Sequence, residues 1–155
     1  MIRRSLSLAT ALTLLVLPAV AQDRDWSKVE VKPSKLAEGL YMLEGAGGNI
    51  GVSVGEDGVF LVDDQYAPLT PKIKAAVAAL SPKAIRFVHN THWHGDHTGG
   101  NENLGGEGVL IVAHDNVRRR MSAEQFNELF NRKTPPSPAK ALPVVTFSDA
   151  VTLHF

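Results

Sequence analysis

The 155-residue sequence has no cysteine. That absence excludes disulfide scaffolds, thiolate metal sites, cysteine nucleophiles and a lipid-modified leader. Any site for a borderline-soft metal must therefore be built from histidine and carboxylate. Neither sign of charge dominates, with 16 basic and 16 acidic residues. The short run Arg118-Arg119-Arg120 is no electrostatic stripe for nucleic acid, and on a helix its side chains spread around the axis into solvent. A composition 44% hydrophobic and 21% charged is that of a globular chain, and its length suits a single domain.

No long apolar run follows the first 21 residues. Those begin with Arg3 and Arg4, continue through an interrupted apolar stretch from Leu6 to Leu17, and close on Pro18 and Ala19-Val20-Ala21. This is the pattern of a secretory signal peptide, too short and too interrupted for a membrane span. The expected division is thus a leader over 1–21 and a domain over 22–155, with no stable membrane anchor after cleavage. Loss of two arginines and no acids gives the mature part a net charge of −2. A periplasmic or secreted location follows, again with no call for nucleic acid. Nothing in the sequence fixes an oligomeric state.

Residues 22–35 are polar and read as irregular or edge structure. Strands are expected at Leu40–Leu43, Ile50–Val54 and Val59–Val62, with a turn at 45–49 and a hairpin at Glu56-Asp57-Gly58. A helix is expected from Pro71 to about Leu80, capped by Thr70, with Ile73, Ala76, Val77 and Leu80 on one face. Strands follow at Ile85–His89 and Val109–Val112. Residues 115–131 carry helical pattern with a break near Met121-Ser122. Pro135–Pro138 is a rigid loop. Val144–Phe147 and Val151–Phe155 read as two more strands. Strands first, then alternating strand and helix, indicate an α/β fold with a mixed sheet.

After the Ile85–His89 strand comes "NTHWHGDHTGGN", residues 90–101, with three histidines and an aspartate in six consecutive positions. His92 and His94, two apart, share a face on an extended or looping backbone and not on a helix. Gly95, Gly99 and Gly100 point to a loop. Loops at strand ends are where open α/β sheets build their sites. Imidazole and carboxylate suit Zn²⁺ and, less exclusively, Fe²⁺ or Mn²⁺. One pair of ligands for each of two ions relieves crowding: His92 and His94 on one, Asp96 and His97 on the other. Two ions sharing a water can lower its pKa to about 7 and so generate a nucleophile at neutral pH.

His92-Trp93-His94-Gly95-Asp96-His97 resembles the histidine–x–histidine–x–aspartate–histidine signature of the metallo-β-lactamase superfamily. "TGGN" after it and "GVFLVDDQ" and "GGNIGVSV" before it are also similar, so the resemblance covers about residues 38–115. It implies an αββα sandwich of two mixed sheets flanked by helices, of which this chain holds the N-terminal half. It implies His92 and His94 at a first zinc, Asp96 and His97 at a second, with Asp96 the catalytic residue among them. Asp63 then orients the metal loop through hydrogen bonds, while Asp64 is exposed. The retained His97 is closer to the glyoxalase-II and subclass B3 branches than to the B1 branch, which uses a cysteine. The implied activity is zinc-dependent hydrolysis of an amide, ester or thioester in a small-molecule substrate such as a β-lactam, lactone or thioester. The family completes its sites with later ligands. Here His114 reads as a loop or cap residue and His154 as a strand residue, so the missing ligands are expected beyond Phe155. The alternatives are a non-hydrolytic metal-binding protein or an inactive truncated fragment. Two further expectations are packing of Trp93 under the loop and a buried, hydrogen-bonded supporting role for His89.

Overall fold

The structure, a computed structural model, describes residues 24–129 and 131–155. The expected leader, 1–21, lies outside them. A seven-stranded mixed sheet is formed in spatial order by β1 (Lys32–Ala37), β2 (Leu40–Glu44), β3 (Ile50–Val54), β4 (Val59–Val62), β5 (Ile85–Asn90), β6 (Leu110–His114) and, at the far edge, the strand Val145–Phe147. The first four strands pair antiparallel through short turns. From β4 onward the pairing is parallel, which requires crossover segments, and these carry the helices. They are α1 (Thr70–Leu80), the short α2 (Gly95–Thr98), α3 (Asn101–Gly106) and α4 (Asp115–Met121). A small hairpin of β7 (Gln125–Asn127) and β8 (Arg132–Thr134) stands outside the sheet. The edge strand Val145–Phe147 is therefore β9. Among the described residues, no helix is long and apolar enough to cross a membrane.

Strand alternation sets two faces. Val59, Leu61, Val88 and Ile111 point to one, where Ile73 and Val77 of α1 and Leu104 of α3 complete a buried core. Burying each of these side chains contributes about 1.5–3 kcal/mol relative to exposure. Val117 and Met121 of α4 pack with Ala113 and Ala141 in a second cluster. The other face presents Phe60, His89, Val112 and Phe147 toward residues 150–155. The arrangement is one sheet-and-helix half of the expected sandwich, with no second large sheet among the described residues.

Several expectations are corrected. The helical reading of 115–131 holds only to Met121. Ser122 Oγ donates to the Arg118 carbonyl at 2.7 Å, and Gln125 Nε2 donates to the carbonyls of Arg120 and Ala123. These side chains satisfy the last helical carbonyls, and the chain turns into the β7–β8 hairpin. Val151–Phe155 forms no strand, because no neighbouring strand runs beside it. The Phe155 ring instead stacks on Phe60 at 5.5 Å and meets Phe87 at 6.4 Å. Thr70 is not a cap: it lies inside α1, is buried, and its hydroxyl accepts from Asn103 Nδ2 at 3.1 Å. The glycine-bearing metal loop is not wholly non-helical either, since Gly95–Thr98 makes one helical turn entered from His94 in extended conformation.

Candidate metal centre

The metal loop leaves β5 at Asn90 and is held from below by the segment that follows β4. Asp63 and Gln65 both lie in the left-handed region, at φ 65° and 54°. Such a conformation is costly for a side chain other than glycine, and it reverses the chain within three residues. It aims Asp63 up into the loop and Gln65 across to the β2–β3 turn. Asp63 Oδ1 accepts from the Thr91 backbone N–H at 2.8 Å. Its Oδ2 accepts from the Thr91 hydroxyl and from His97 Nδ1, each at 2.7 Å. The carboxylate is 4% exposed, so these bonds act with little competition from water.

This geometry selects imidazole tautomers. With Nδ1–H of His97 donating to Asp63, Nε2 keeps its lone pair for a metal. The Thr91 hydroxyl gives its one proton to Asp63, so at 3.1 Å it accepts from Nδ1–H of His92. His92 Nε2 is thereby also left as an acceptor. Ligand atoms of His92, Asp96 and His97 lie within 4.8 Å of one another. His97 Nε2 is 3.5 Å from Asp96 Oδ2. Burial pushes the pKa of His92 below 6.5, and the neighbouring His97 and His94 push it the same way against the pull of Asp63 and Asp96. A neutral imidazole is the form that binds metal. The donor set and its fixed tautomers therefore fit a borderline divalent cation such as zinc.

His94 stands apart from the three. It is exposed, its ring is 4.7 Å from that of His92, and its ligand atoms are not part of the cluster. Trp93 is half-buried, packs against the α4 cluster and also borders an open groove. His89 is half-buried, and its Nδ1 is 3.3 Å from the Val112 carbonyl on the sheet face away from the loop. His114 caps α4, its Nδ1 accepting from the Asn116 N–H at 3.0 Å while Nε2 reaches the Ser148 carbonyl at 3.0 Å. His154 is exposed.

Asp64 is a correction. Expected to be exposed, it is fully buried. The reversal at Asp63 and Gln65 turns it inward, where Oδ1 accepts from the Gly100 N–H at 2.9 Å and Oδ2 has no partner. Burial raises its pKa well above 3.8, opposed by the Gly100 bond and reinforced by Asp63. Its backbone N–H donates to the His97 carbonyl at 3.0 Å. The same carbonyl accepts from Asn90 Nδ2 at 3.2 Å, and Asn101 Nδ2 donates onward to Asn90 Oδ1 and to the Ala141 carbonyl. A buried polar bed thus props the loop from behind.

Gln65 is the supporting residue that sequence reasoning missed. Its Oε1 accepts from the Ala46 N–H, its Nε2 donates to the Gly48 carbonyl, and its own carbonyl accepts from the Gly99 N–H at 2.7 Å. It clamps the 45–49 turn against the ligands so closely that a Cβ on Gly48 would lie 2.6 Å from His97 Nε2. Gly47, at φ 86°, would press a Cβ to 2.7 Å from the Asp96 side chain. Only "VDDQ" beside a glycine-rich turn hints at this in the sequence, and nothing there announces the left-handed backbone.

A model of the metallo-beta-lactamase superfamily matches residues 43–153. No curated protein sequence matches significantly. Among solved structures, a subclass B3 metallo-beta-lactamase of Bradyrhizobium japonicum is 25% identical with a TM-score of 0.64, over 83% of this chain and 50% of that one. A metallo-beta-lactamase of Hirschia baltica is 28% identical with a TM-score of 0.53, over 58% and 46%. A mutant metallo-beta-lactamase of Cronobacter sakazakii is 22% identical with a TM-score of 0.66, over 81% and 50%, a likeness of fold alone. The chain thus spans about half the length of these structures. From the family match, the sheet order and the histidine–aspartate loop at the end of β5, the chain belongs to the metallo-beta-lactamase superfamily.

Proposed function

We propose that the protein acts as an exported, zinc-dependent hydrolase that cleaves an amide, ester or thioester in a small molecule, with a leader over 1–21 and its metallo-β-lactamase-like domain over 22–155. A periplasmic or secreted location, no membrane anchor after leader cleavage and no nucleic-acid partner belong to the same reading. The observation that carries it is the Asp63 carboxylate, which bonds Thr91 and His97 together and leaves His97 Nε2 facing His92 and Asp96. His92, His94, Asp96 and His97 would hold the metal, two zinc ions in a complete site. Zinc bound there would supply Lewis acidity toward a carbonyl oxygen and would acidify water.

The chain's own residues do the rest. Asp63 holds the proton on His97 Nδ1 and fixes the ring. Thr91 relays that constraint to His92. Asp96 borders the groove, where its carboxylate accepts a proton from the attacking water. A β-lactam, a lactone or a thioester would meet these requirements. The test is zinc content together with turnover of a chromogenic β-lactam and a generic aryl ester by the full chain. Asp96→Ala should abolish hydrolysis, and undiminished activity in that variant would refute the mechanism.

A second reading, a metal-binding protein without hydrolytic activity, draws on one observation. Among the described residues only His92, Asp96 and His97 cluster, while His114 is spent as a cap and His154 lies outside the cluster. Zinc bound without turnover of either substrate would favour it.

A further inference from the structure

The run Arg118-Arg119-Arg120 is divided by the fold. Arg118 turns back to donate to the Pro143 carbonyl, Arg119 stays exposed, and Arg120 borders a groove of about 710 Å³ that opens beside Asp96. The β7–β8 hairpin also lines the groove and brings in Arg132. Such a volume suits a small-molecule ligand.

Arg120 is held in place before any ligand arrives. Its guanidinium lies 5.6 Å from the Trp93 ring centroid, a cation–π distance. Its Nη1 donates to Gln125 Oε1 at 3.1 Å, while Gln125 Nε2 donates to the Arg120 carbonyl at 3.0 Å. A long side chain fixed at both ends loses less entropy on binding. Neither Arg120 nor Arg132 forms an ion pair among the described residues. Glu128 is the acid in the groove besides Asp96, which the proposed function assigns to the metal, so two guanidiniums face one free carboxylate. Trp93 and Phe126, the latter 55% exposed, line the same groove. Aromatic side chains with a few charged groups among them are the lining a small-molecule site carries.

Resting on the hydrolase reading, we propose that the substrate carries a carboxylate beside an apolar group, and that Arg120 and Arg132 take the carboxylate while Trp93 and Phe126 cover the apolar part. Arginine's planar fork matches a carboxylate two bonds at a time. The hairpin is then a specificity element, separate from the residues that hold metal.

The experiment uses the zinc-loaded full chain and two 4-nitrophenyl esters with the same scissile bond, one ending in a carboxylate and the other in its methyl ester. The wild type should prefer the carboxylate ester in kcat/KM. R120Q/R132Q should lose about tenfold of that preference, the loss expected for charge-assisted hydrogen bonds at an exposed site. R119Q, on the same helix but outside the groove, should keep it. An unchanged preference in R120Q/R132Q overturns the proposal. Calorimetric binding of phenylacetate against phenylacetamide separates the two readings. A phenylacetate preference lost in R120Q/R132Q, in a chain that cleaves neither ester, sinks the hydrolase and keeps the groove. Ester cleavage with no such preference keeps the hydrolase and sinks the groove.

Discussion

The two sides of the metal loop are built on opposite principles. Behind it, Asp63, Asp64, Gln65, Asn90 and Asn101 are buried polar residues that spend their side chains on the loop's backbone, on His97 and on the neighbouring turn. In front, Arg120, Phe126, Glu128 and Arg132 are exposed and make few bonds. Buried hydrogen bonds, shielded from water, hold a geometry firmly, although Asp64 Oδ2 and Asn101 Oδ1 are left without a partner. Exposed side chains on a short hairpin can change without disturbing that geometry. On the proposed reading the bed positions the metal and the hairpin chooses the ligand, and that contrast can be broken from either side.

The largest effect is expected at the bed's tightest contact. Gly48→Ala pushes a methyl group into His97, so zinc affinity should fall steeply, with about 1–3 kcal/mol of stability lost to overpacking. Chelator competition and chemical denaturation read the two separately, and a variant matching wild type in both would deny the close fit of turn to ligand. Next comes Asp63→Ala, which frees His97 Nδ1 and Thr91 while removing no ligand. Its zinc affinity should fall about ten- to a hundredfold, as for other partners of ligating histidines. A loss no larger than in Arg119→Gln would remove Asp63 from the centre.

Two groups with shifted pKa values, the partly buried His92 and the buried Asp64, give the metal-free chain opposite pH dependences. His92 has a folded pKa below 6.5, so the unfolded chain takes up that proton first, and stability falls as pH drops from 6.5 through the folded value. Asp64 has a folded pKa well above 3.8. Its contribution is present at low pH and is lost as pH rises through the folded value. Denaturation across pH should therefore show Asp64→Asn losing the high-pH decline while keeping the low-pH one. A variant with the wild-type profile would mean that Asp64 ionises without cost. The smallest effect is expected in front. Phe126→Ala on the exposed hairpin should change stability by no more than about 0.5 kcal/mol, and a loss of several times that in denaturation would make the hairpin part of the core.

The same contrast explains what was legible in the sequence. Apolar runs such as Val59–Val62 and Ile85–Val88 marked strands because burial dictates their residues. The His92–His97 motif was legible because ligand chemistry allows few residue types. The bed was only half legible. Asp63 is reached through the family resemblance, but Asp64 and Gln65 depend on a left-handed reversal that no residue pattern specifies. Residues 122–129 looked helical because their propensities are helical. The helix ends where Ser122 and Gln125 satisfy its last carbonyls, a matter of side-chain geometry. Val151, Leu153 and Phe155 alternate as strand residues do, yet a strand also requires a neighbour, and here the segment lies across the sheet face through its aromatic contacts.

The proposed metal centre stands on His92, Asp96 and His97, set by Asp63. Nitrogen-15 NMR of the histidine rings, recorded on the full chain during zinc titration, tests it most directly. His92 and His97 should carry their protons on Nδ1 before zinc is added, and their Nε2 resonances should be the ones shifted by the metal. Zinc-induced shifts confined to His114 or His154, with the loop histidines unmoved, would contradict it.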